Sequence, residues 1–317
     1  MSEKVLYLHI GYPKTGTTAL QQQVFRLLEE PGLFYAGTRN QSDLFEQKPA
    51  EQRLNEAFFV GVTRDQCEQS EPLADYFREH KRIFVSRKGV TSALVSIDER
   101  APALDIATMT ARLRAFATGL GADRVKVMVT FRRQDEFAHS IFCQSFRHGF
   151  GNAYDGFIQR LTNPVGGYDE GLCYDRVLSA LRREFGRDDT LALFYEEFEA
   201  RPDLYVNKVL DFLDIRREAS EFPLRRANSR RTGEGIKKSR RYGFLDVLVS
   251  VKKALGWKRG LGLSRHLAWL NRFRLGHKEI RMSDDQRLRV QAHFHDTNRE
   301  LGRLTDTDLS EWGYWRD

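Results

Sequence analysis

The sequence has few cysteines and no long apolar run, and each absence excludes a class of protein. Three cysteines occur in 317 residues, at Cys67, Cys143 and Cys173, without the density of a disulfide framework or the spacing of metal ligands. No stretch approaches the roughly 18 apolar residues that a membrane-spanning helix needs. Residues 1–4 lead directly into an apolar segment that is not a signal-peptide core. We therefore expect a cytoplasmic protein with reduced cysteines and no metal site.

The charge of the chain is positive and unevenly placed. The formal net charge is +7, but residues 225–281 alone hold 17 Lys or Arg against three acids. A field of one sign attracts a nucleotide with several phosphates, an anionic glycan, a membrane surface or nucleic acid. It is less typical of an ordinary solvated face, so we interpret residues 223–281 as a functional basic insertion within one domain over 1–317.

Four short apolar segments are typical of β-strands, and helical patterns lie between them. The predicted strands are residues 5–10, 82–86, 125–131 and 190–195. Strands joined by long helical stretches imply right-handed crossovers and a mostly parallel sheet. The sequence therefore predicts a three-layer α/β/α fold, with helices over 106–117 and 134–146. Residues 32–70 are mixed and polar, which we interpret as loop and short helix.

The first predicted strand runs into a glycine-bearing turn that is typical of a phosphate-binding site. Gly11 and Gly16 let the backbone approach an anion closely, and the N–H groups of the turn and the following helix point into one small volume. The glycine spacing is that of a P-loop, but the lysine falls inside the loop, at Lys14, and Thr17 takes its usual place. The pattern therefore does not indicate an ordinary ATP or GTP loop.

Residues Pro13, Lys14, Thr15, Gly16, Thr17 and Thr18 resemble the 5'-phosphosulfate loop of sulfotransferases. Members of that family carry Pro-Lys-[Thr/Ser]-Gly-[Thr/Ser]-[Thr/Ser] after their first strand and use 3'-phosphoadenosine 5'-phosphosulfate (PAPS) as the sulfuryl donor. The resemblance implies a P-loop-like turn in which these residues bind PAPS.

Two later segments extend the resemblance to the rest of the donor site. Arg132 leaves the third predicted strand and Ser140 follows eight residues later, the interval at which sulfotransferases hold the 3'-phosphate; Arg133 is its neighbour or substitute. Tyr195 ends the fourth predicted strand and takes the position of the family's tyrosine at the adenine. Residues 288–312 resemble the closing helix of bacterial members. The resemblance thus covers most of the chain.

The basic insertion begins where sulfotransferases place a loop that closes over the 3'-phosphate. By position, Asn228, Ser229, Arg230 and Arg231 inherit that role. Residues 245–259 and 266–274 then alternate apolar and cationic side chains at helical spacing, which predicts a helical insertion. We interpret it as a lid packed on the core, in preference to a basic surface that meets an anionic polymer or the inner face of a membrane.

The resemblance also implies the chemistry, which is transfer of a sulfuryl group from PAPS to a hydroxyl or amine, giving adenosine 3',5'-bisphosphate (PAP). Lys14 is expected to stabilise the negative charge that develops on the leaving oxygen. No bridging metal is expected, because this reaction, unlike most phosphoryl transfers from ATP, needs no magnesium between phosphates. The expected acceptor is a glycan, a lipid head group or a small molecule, and no nucleic acid partner is expected.

The general base is the least defined part of this interpretation. Glycan-type members use a glutamate past the loop lysine, and Asp43 and Glu46 are the carboxylates nearest to that interval. Some bacterial relatives carry Ser-Ser-Glu after the second strand, where this chain has Ser86, Arg87 and Lys88. His80 and His139 are the remaining candidates for proton transfer near neutral pH, although each is more typical of a surface residue.

Two other classes of function stay open on the sequence alone. A kinase or other phosphotransferase on the same sheet would use Lys14 for ATP phosphates and would depend on magnesium. A non-catalytic binder of nucleic acid or anionic polymer would act through residues 225–281, with steep salt dependence and no need for Lys14.

Overall fold

We describe the fold from a computed structural model of the chain. The residues described are 3–37, 49–63, 75–87, 89–95, 104–147, 154–162, 170–224, 239–243, 274–279 and 282–315.

A five-stranded sheet forms the centre of the protein. Its strands are β1 (Val5–His9), β2 (Leu33–Gly37), β3 (Arg82–Ser86), β4 (Arg124–Phe131) and β5 (Thr190–Phe194). The strand order is β2-β3-β1-β4-β5, and every neighbouring pair is parallel. All five carboxyl ends therefore lie at one edge, where parallel α/β sheets bind their ligands.

Helices cover both faces of this sheet. They are α1 (Thr17–Gln23), α2 (Pro49–Thr63), α3 (Tyr76–Glu79), α4 (Ile106–Leu120), α5 (Gln134–Arg147), α6 (Tyr154–Leu161), α7 (Tyr174–Phe185), α8 (Tyr195–Ala200), α9 (Pro202–Phe212), α10 (Asp284–His293) and α11 (His295–Thr305). The ends of α4 follow from local chemistry, since the Asp105 carboxylate accepts the Thr108 N–H and Gly121 adopts the left-handed conformation.

Two apolar cores lie on opposite sides of the sheet, as the alternation of side chains along a strand requires. In β1, Leu6 and Leu8 pack into the core that contains residues of α2, α4 and α7. Tyr7, between them, packs into the core built with Leu20 of α1 and Val206 of α9. The three-layer α/β/α architecture predicted from the sequence is confirmed.

The structure adds a strand that the sequence analysis interpreted as loop. Residues 33–37 form β2, which pairs only with β3 among the described strands and so lies at the sheet edge. Its first three residues are half-buried, so the segment lacks the continuous apolar character of the central strands. The short helix expected in this region is α2, which runs for 15 residues.

Beyond residue 224, the described parts of the basic insertion are two short strands. Residues Ser239–Gly243 form β6 and Arg274–Glu279 form β7, and the two pair in antiparallel fashion, which the sequence analysis did not predict. The helical segments expected at 245–259 and 266–274 lie outside the described residues, apart from Arg274, and stay predictions. Among the helices that the structure describes, none has the length and apolarity needed to cross a membrane.

Candidate active site

The predicted phosphate-binding turn lies at the middle of the sheet, between the carboxyl end of β1 and α1. Within it Lys14 has a φ of 68° and Gly16 a φ of 74°, so two left-handed residues fall close together and bend the backbone sharply. This conformation is unfavourable for lysine, and it is retained at the residue that carries the loop's cation. Lys14 is exposed, whereas Thr15 and Thr17 are buried.

Hydrogen bonds fix the start of this turn. The Thr15 hydroxyl donates to the Tyr12 carbonyl at 2.5 Å and lies 3.3 Å from the Thr17 hydroxyl. The buried Tyr12 hydroxyl in turn donates to the Gly171 carbonyl, and its ring packs against Tyr174. The turn is therefore held in shape by the protein itself, so a phosphate would meet a preformed cradle.

Arg132, the first residue after β4, joins the turn to the β5 side of the site. Its Nη1 donates to the Lys14 carbonyl at 2.7 Å, and its guanidinium carbon lies 4.5 Å from the centre of the Tyr195 ring. Its Nη2 lies 3.6 Å from a carboxylate oxygen of Glu136. Its Nε is buried with no hydrogen-bond partner among the described residues. Three predicted donor-site residues, Lys14, Arg132 and Tyr195, are therefore brought together.

Tyr195 begins α8 and packs against the turn. A Cβ added to Gly16 would lie 3.1 Å from the Phe198 ring and 3.3 Å from Tyr195 Cε2, so glycine at this position is required by both its φ and its neighbours. Burial, together with the Glu199 carboxylate that accepts the Tyr195 hydroxyl, raises the pKa of that hydroxyl. Tyr195 thus stays a neutral aromatic surface beside the Arg132 cation.

The remaining residues predicted around Arg132 have different surroundings. Ser140 is half-buried and lies about two turns into α5. Arg133, considered as a substitute for Arg132, donates to the buried Asp135 carboxylate at 2.6 Å and to the Trp312 carbonyl at 2.9 Å. Its backbone N–H donates to Glu196. Arg133 therefore ties α5 to the C-terminal segment, and Arg132 is the arginine that contacts the turn.

A buried histidine that the sequence analysis overlooked lies beneath the turn. His9 is fully buried at the end of β1, and a Cβ on Gly11 would lie 3.2 Å from its Nε2. Its Nδ1 lies 2.9 Å from the Ser86 hydroxyl, and its Nε2 lies 3.5 Å from the Thr130 hydroxyl. Burial lowers the pKa of His9 to about 3, so the ring is neutral at physiological pH. The signal in the sequence was one polar residue inside an apolar strand.

We predict that His9 makes the stability of the protein depend on pH. The folded pKa of about 3 lies below the ordinary value of 6.5, so below pH 6.5 the unfolded state binds the extra proton. The free energy of unfolding should therefore fall by about 1.4 kcal/mol per pH unit between pH 6.5 and the folded pKa of about 3. Urea unfolding of the parent and of His9→Gln at pH 7.0 and 5.0 measures this, and the fall should be smaller in His9→Gln. An equal fall in both proteins would contradict the assignment.

Several predicted residues lie outside the part of the chain that the structure describes. These are the two candidate bases and the four insertion residues expected over the 3'-phosphate: Asp43, Glu46, Asn228, Ser229, Arg230 and Arg231. Of the histidine candidates, His80 precedes β3, at the sheet edge opposite the turn, and stacks on Phe34. His139 lies on α5 beside Cys143. Within the described ranges, no cluster of three or more His, Cys, Asp or Glu residues is arranged to hold a metal ion.

The fold and the turn define an α/β protein with a P-loop-like phosphate site, and comparison with known proteins identifies its family. A model of the sulfotransferase domain family matches residues 7–229, which is more than two thirds of the chain. The chain therefore belongs to the sulfotransferase family, and the resemblance inferred from the sequence is confirmed. No match was found among curated protein sequences.

Solved structures of low sequence identity are also similar. The crystal structure of a sulfotransferase from Alicyclobacillus acidocaldarius matches with a TM-score of 0.50 and 14% identity, over 96% of this chain and 97% of that one. Mouse sulfotransferase SULT7A1 complexed with PAP matches with a TM-score of 0.45 and 13% identity, over 99% of this chain and 89% of that one. At 14% identity the first of these shows a shared fold.

Proposed function

We propose that the protein transfers a sulfuryl group from PAPS to a hydroxyl or amine of a glycan, a lipid-linked acceptor or a small molecule. The observation that carries this proposal is the position of Arg132, which is bonded to the Lys14 carbonyl and stacked on Tyr195. Arg132 thus contacts both the phosphate turn and an aromatic surface. A nucleotide that carries one phosphate at the 5' position and another at the 3' position of its ribose requires a cation in such a place. The buried Arg132 Nε has no hydrogen-bond partner among the described residues, and a bound ligand is one explanation for an unpaired buried donor.

Each predicted donor-site residue then has a role. The backbone and hydroxyls of residues 13–18 bind the 5'-phosphosulfate, Arg132 and Ser140 bind the 3'-phosphate, and Tyr195 supports the adenine. Residues 228–231 close over the 3'-phosphate. We infer that the insertion they open serves as a lid, in preference to a surface for peripheral contact with an anionic membrane or polymer.

In the reaction, the acceptor oxygen or nitrogen forms a bond to sulfur while the bond from sulfur to the bridging phosphate oxygen breaks. The acceptor proton passes to a base, for which Asp43 and Glu46 are the candidates. Negative charge develops on the phosphate oxygen that leaves with PAP. Lys14 stabilises it, because a preorganised cation at the developing charge lowers the barrier.

Calorimetric titration with PAP tests the donor site without knowledge of the acceptor. PAP should bind at least tenfold more tightly than adenosine 5'-phosphate, because a charge-assisted hydrogen bond to the additional phosphate contributes roughly 1.5–3 kcal/mol. Chelation of divalent metals should leave the affinity for PAP unchanged. A preference for magnesium-ATP, or no discrimination between PAP and adenosine 5'-phosphate, would overturn the proposal.

A further inference from the structure

The order of the strands in the sheet places different strands on the two sides of the phosphate turn. The proposed donor site uses the carboxyl ends of β1, β4 and β5, which are neighbours in the sheet. On the other side of β1 lies β3, whose carboxyl end therefore borders the turn away from the nucleotide. The acceptor must approach the sulfuryl group from a side that the nucleotide leaves open, and the end of β3 borders that side.

Arg87 is the first residue after β3, and its position is fixed relative to the turn. Its backbone N–H donates to the His9 carbonyl at 2.9 Å, which places it directly beside the end of β1. Its Nη1 donates to Asn55 Oδ1 at 2.7 Å, and its guanidinium carbon lies 4.4 Å from the centre of the Phe59 ring. Arg87 is half-buried, and its Nε is buried with no hydrogen-bond partner in the described part of the chain.

The residue that positions this guanidinium is itself rigidly held. Asn55 of α2 is 2% exposed, and its Nδ2 donates to the Ala36 carbonyl at 3.0 Å and the Ser86 carbonyl at 3.2 Å. Gln21 of α1 donates to the same Ser86 carbonyl and to the Ser86 hydroxyl, both at 3.0 Å. Asn55 of α2 is thus fixed by β2 and β3 and holds the guanidinium in one orientation, which reduces the entropy lost when it binds a ligand.

The charge of Arg87 persists in this setting. Burial lowers the pKa of its guanidinium and the nearby Glu56 carboxylate raises it, but an arginine stays protonated at neutral pH. A planar guanidinium matches the geometry of a carboxylate, sulfate or phosphate. It does not suit a general base, since it has no lone pair to accept a proton.

We propose that Arg87 binds an oxyanion of the acceptor, so that the acceptor class is a hydroxyl or amine compound that also carries a carboxylate or a sulfate. This inference rests on the proposed function, because the acceptor side is defined by where the donor binds. Arg87 is a specificity-determining residue in this scheme, because an uncharged acceptor offers its guanidinium no anionic partner.

Nitrogen NMR of the arginine side chains tests the proposal without an identified acceptor. The protein is labelled with ¹⁵N-arginine and saturated with PAP, and Arg87→Lys assigns the Arg87 Nε signal by its loss. Glucuronate and glucose 6-sulfate are the anionic probes, and glucose is the neutral one. At least one anion should shift the Arg87 signal in a saturable manner, with an apparent affinity at least tenfold above that of glucose; which anion does so distinguishes a carboxylate from a sulfate acceptor.

Matched variants separate this binding from a general charge effect. In Arg87→Gln the anion should no longer bind to the PAP complex, whereas Arg78→Gln, which removes the same charge from an exposed side chain on α3, should bind it as the parent does. No shift with either anion, or an equal response to glucose, would overturn the inference while calorimetric PAP binding leaves the proposed function standing. If the parent protein did not bind PAP, the proposed function itself would be overturned, and this inference with it.

Discussion

Replacing Lys14 by methionine should lower turnover of PAPS by about 10²–10³ while the affinity for PAP changes by less than about fivefold. Removal of one preorganised group at a developing oxyanion costs about that factor, whereas the backbone of the turn and Arg132 still hold the phosphates. Methionine keeps a Cβ and a similar length, so the left-handed strain at φ 68° is the same in both proteins. Turnover is measured with PAPS labelled on sulfur, as the rate at which the label is transferred to an acceptor found by screening or to water.

The matched control for this prediction is Lys81→Met. Lys81 is exposed and precedes β3 at the opposite edge of the sheet, so its loss changes net charge by the same amount without reaching the site. Turnover in this variant should stay within about twofold of the parent. If Lys14→Met instead weakened PAP binding a hundredfold and left turnover of bound PAPS intact, Lys14 would be a binding residue only.

The central sheet and the turn could be predicted because their signals are local. Four of the five sheet strands are short apolar segments, and the turn is a contiguous motif with glycines where the backbone needs them. The fifth strand, β2, was not predicted, because an edge strand is covered less fully than a central one. Its residues Leu33, Phe34 and Tyr35 are only half-buried. Apolar pattern alone does not separate such a segment from a loop.

The contacts that connect the site could not be predicted, because they join residues far apart in the chain. The interval between Arg132 and Ser140 drew attention to this segment, but no pattern in the sequence relates Arg132 to the Lys14 carbonyl, 118 residues away. His9 and Arg87 show the same limit. His9 is one polar residue inside an apolar strand, and Arg87 is one of several polar residues after β3. The role of each depends on a neighbour that the fold supplies, namely Ser86 for His9 and Asn55 for Arg87.

Replacing Arg132 by glutamine should weaken PAP binding by about 30–100-fold but weaken adenosine 5'-phosphate binding only about threefold. The large loss comes from the charge-assisted hydrogen bonds to the 3'-phosphate, worth roughly 1.5–3 kcal/mol. The small loss comes from the bond to the Lys14 carbonyl, because without it the turn is less firmly held. Calorimetry measures the binding free energies of PAP and adenosine 5'-phosphate to the parent and to Arg132→Gln. The effect of the substitution on PAP minus its effect on adenosine 5'-phosphate isolates the 3'-phosphate contact.

Arg133→Gln is the control that decides which of two adjacent arginines binds the nucleotide. Arg133 pairs with Asp135, whose side chain is fully buried, and Arg287 also contacts that carboxylate. Arg133→Gln should therefore lower the free energy of unfolding by about 1–3 kcal/mol. The folded variant should keep its PAP affinity within about threefold of the parent's. Because the two variants remove the same charge one residue apart, opposite outcomes separate nucleotide binding from folding. If Arg133→Gln abolished PAP binding and Arg132→Gln did not, the donor site would have to be rebuilt around Arg133.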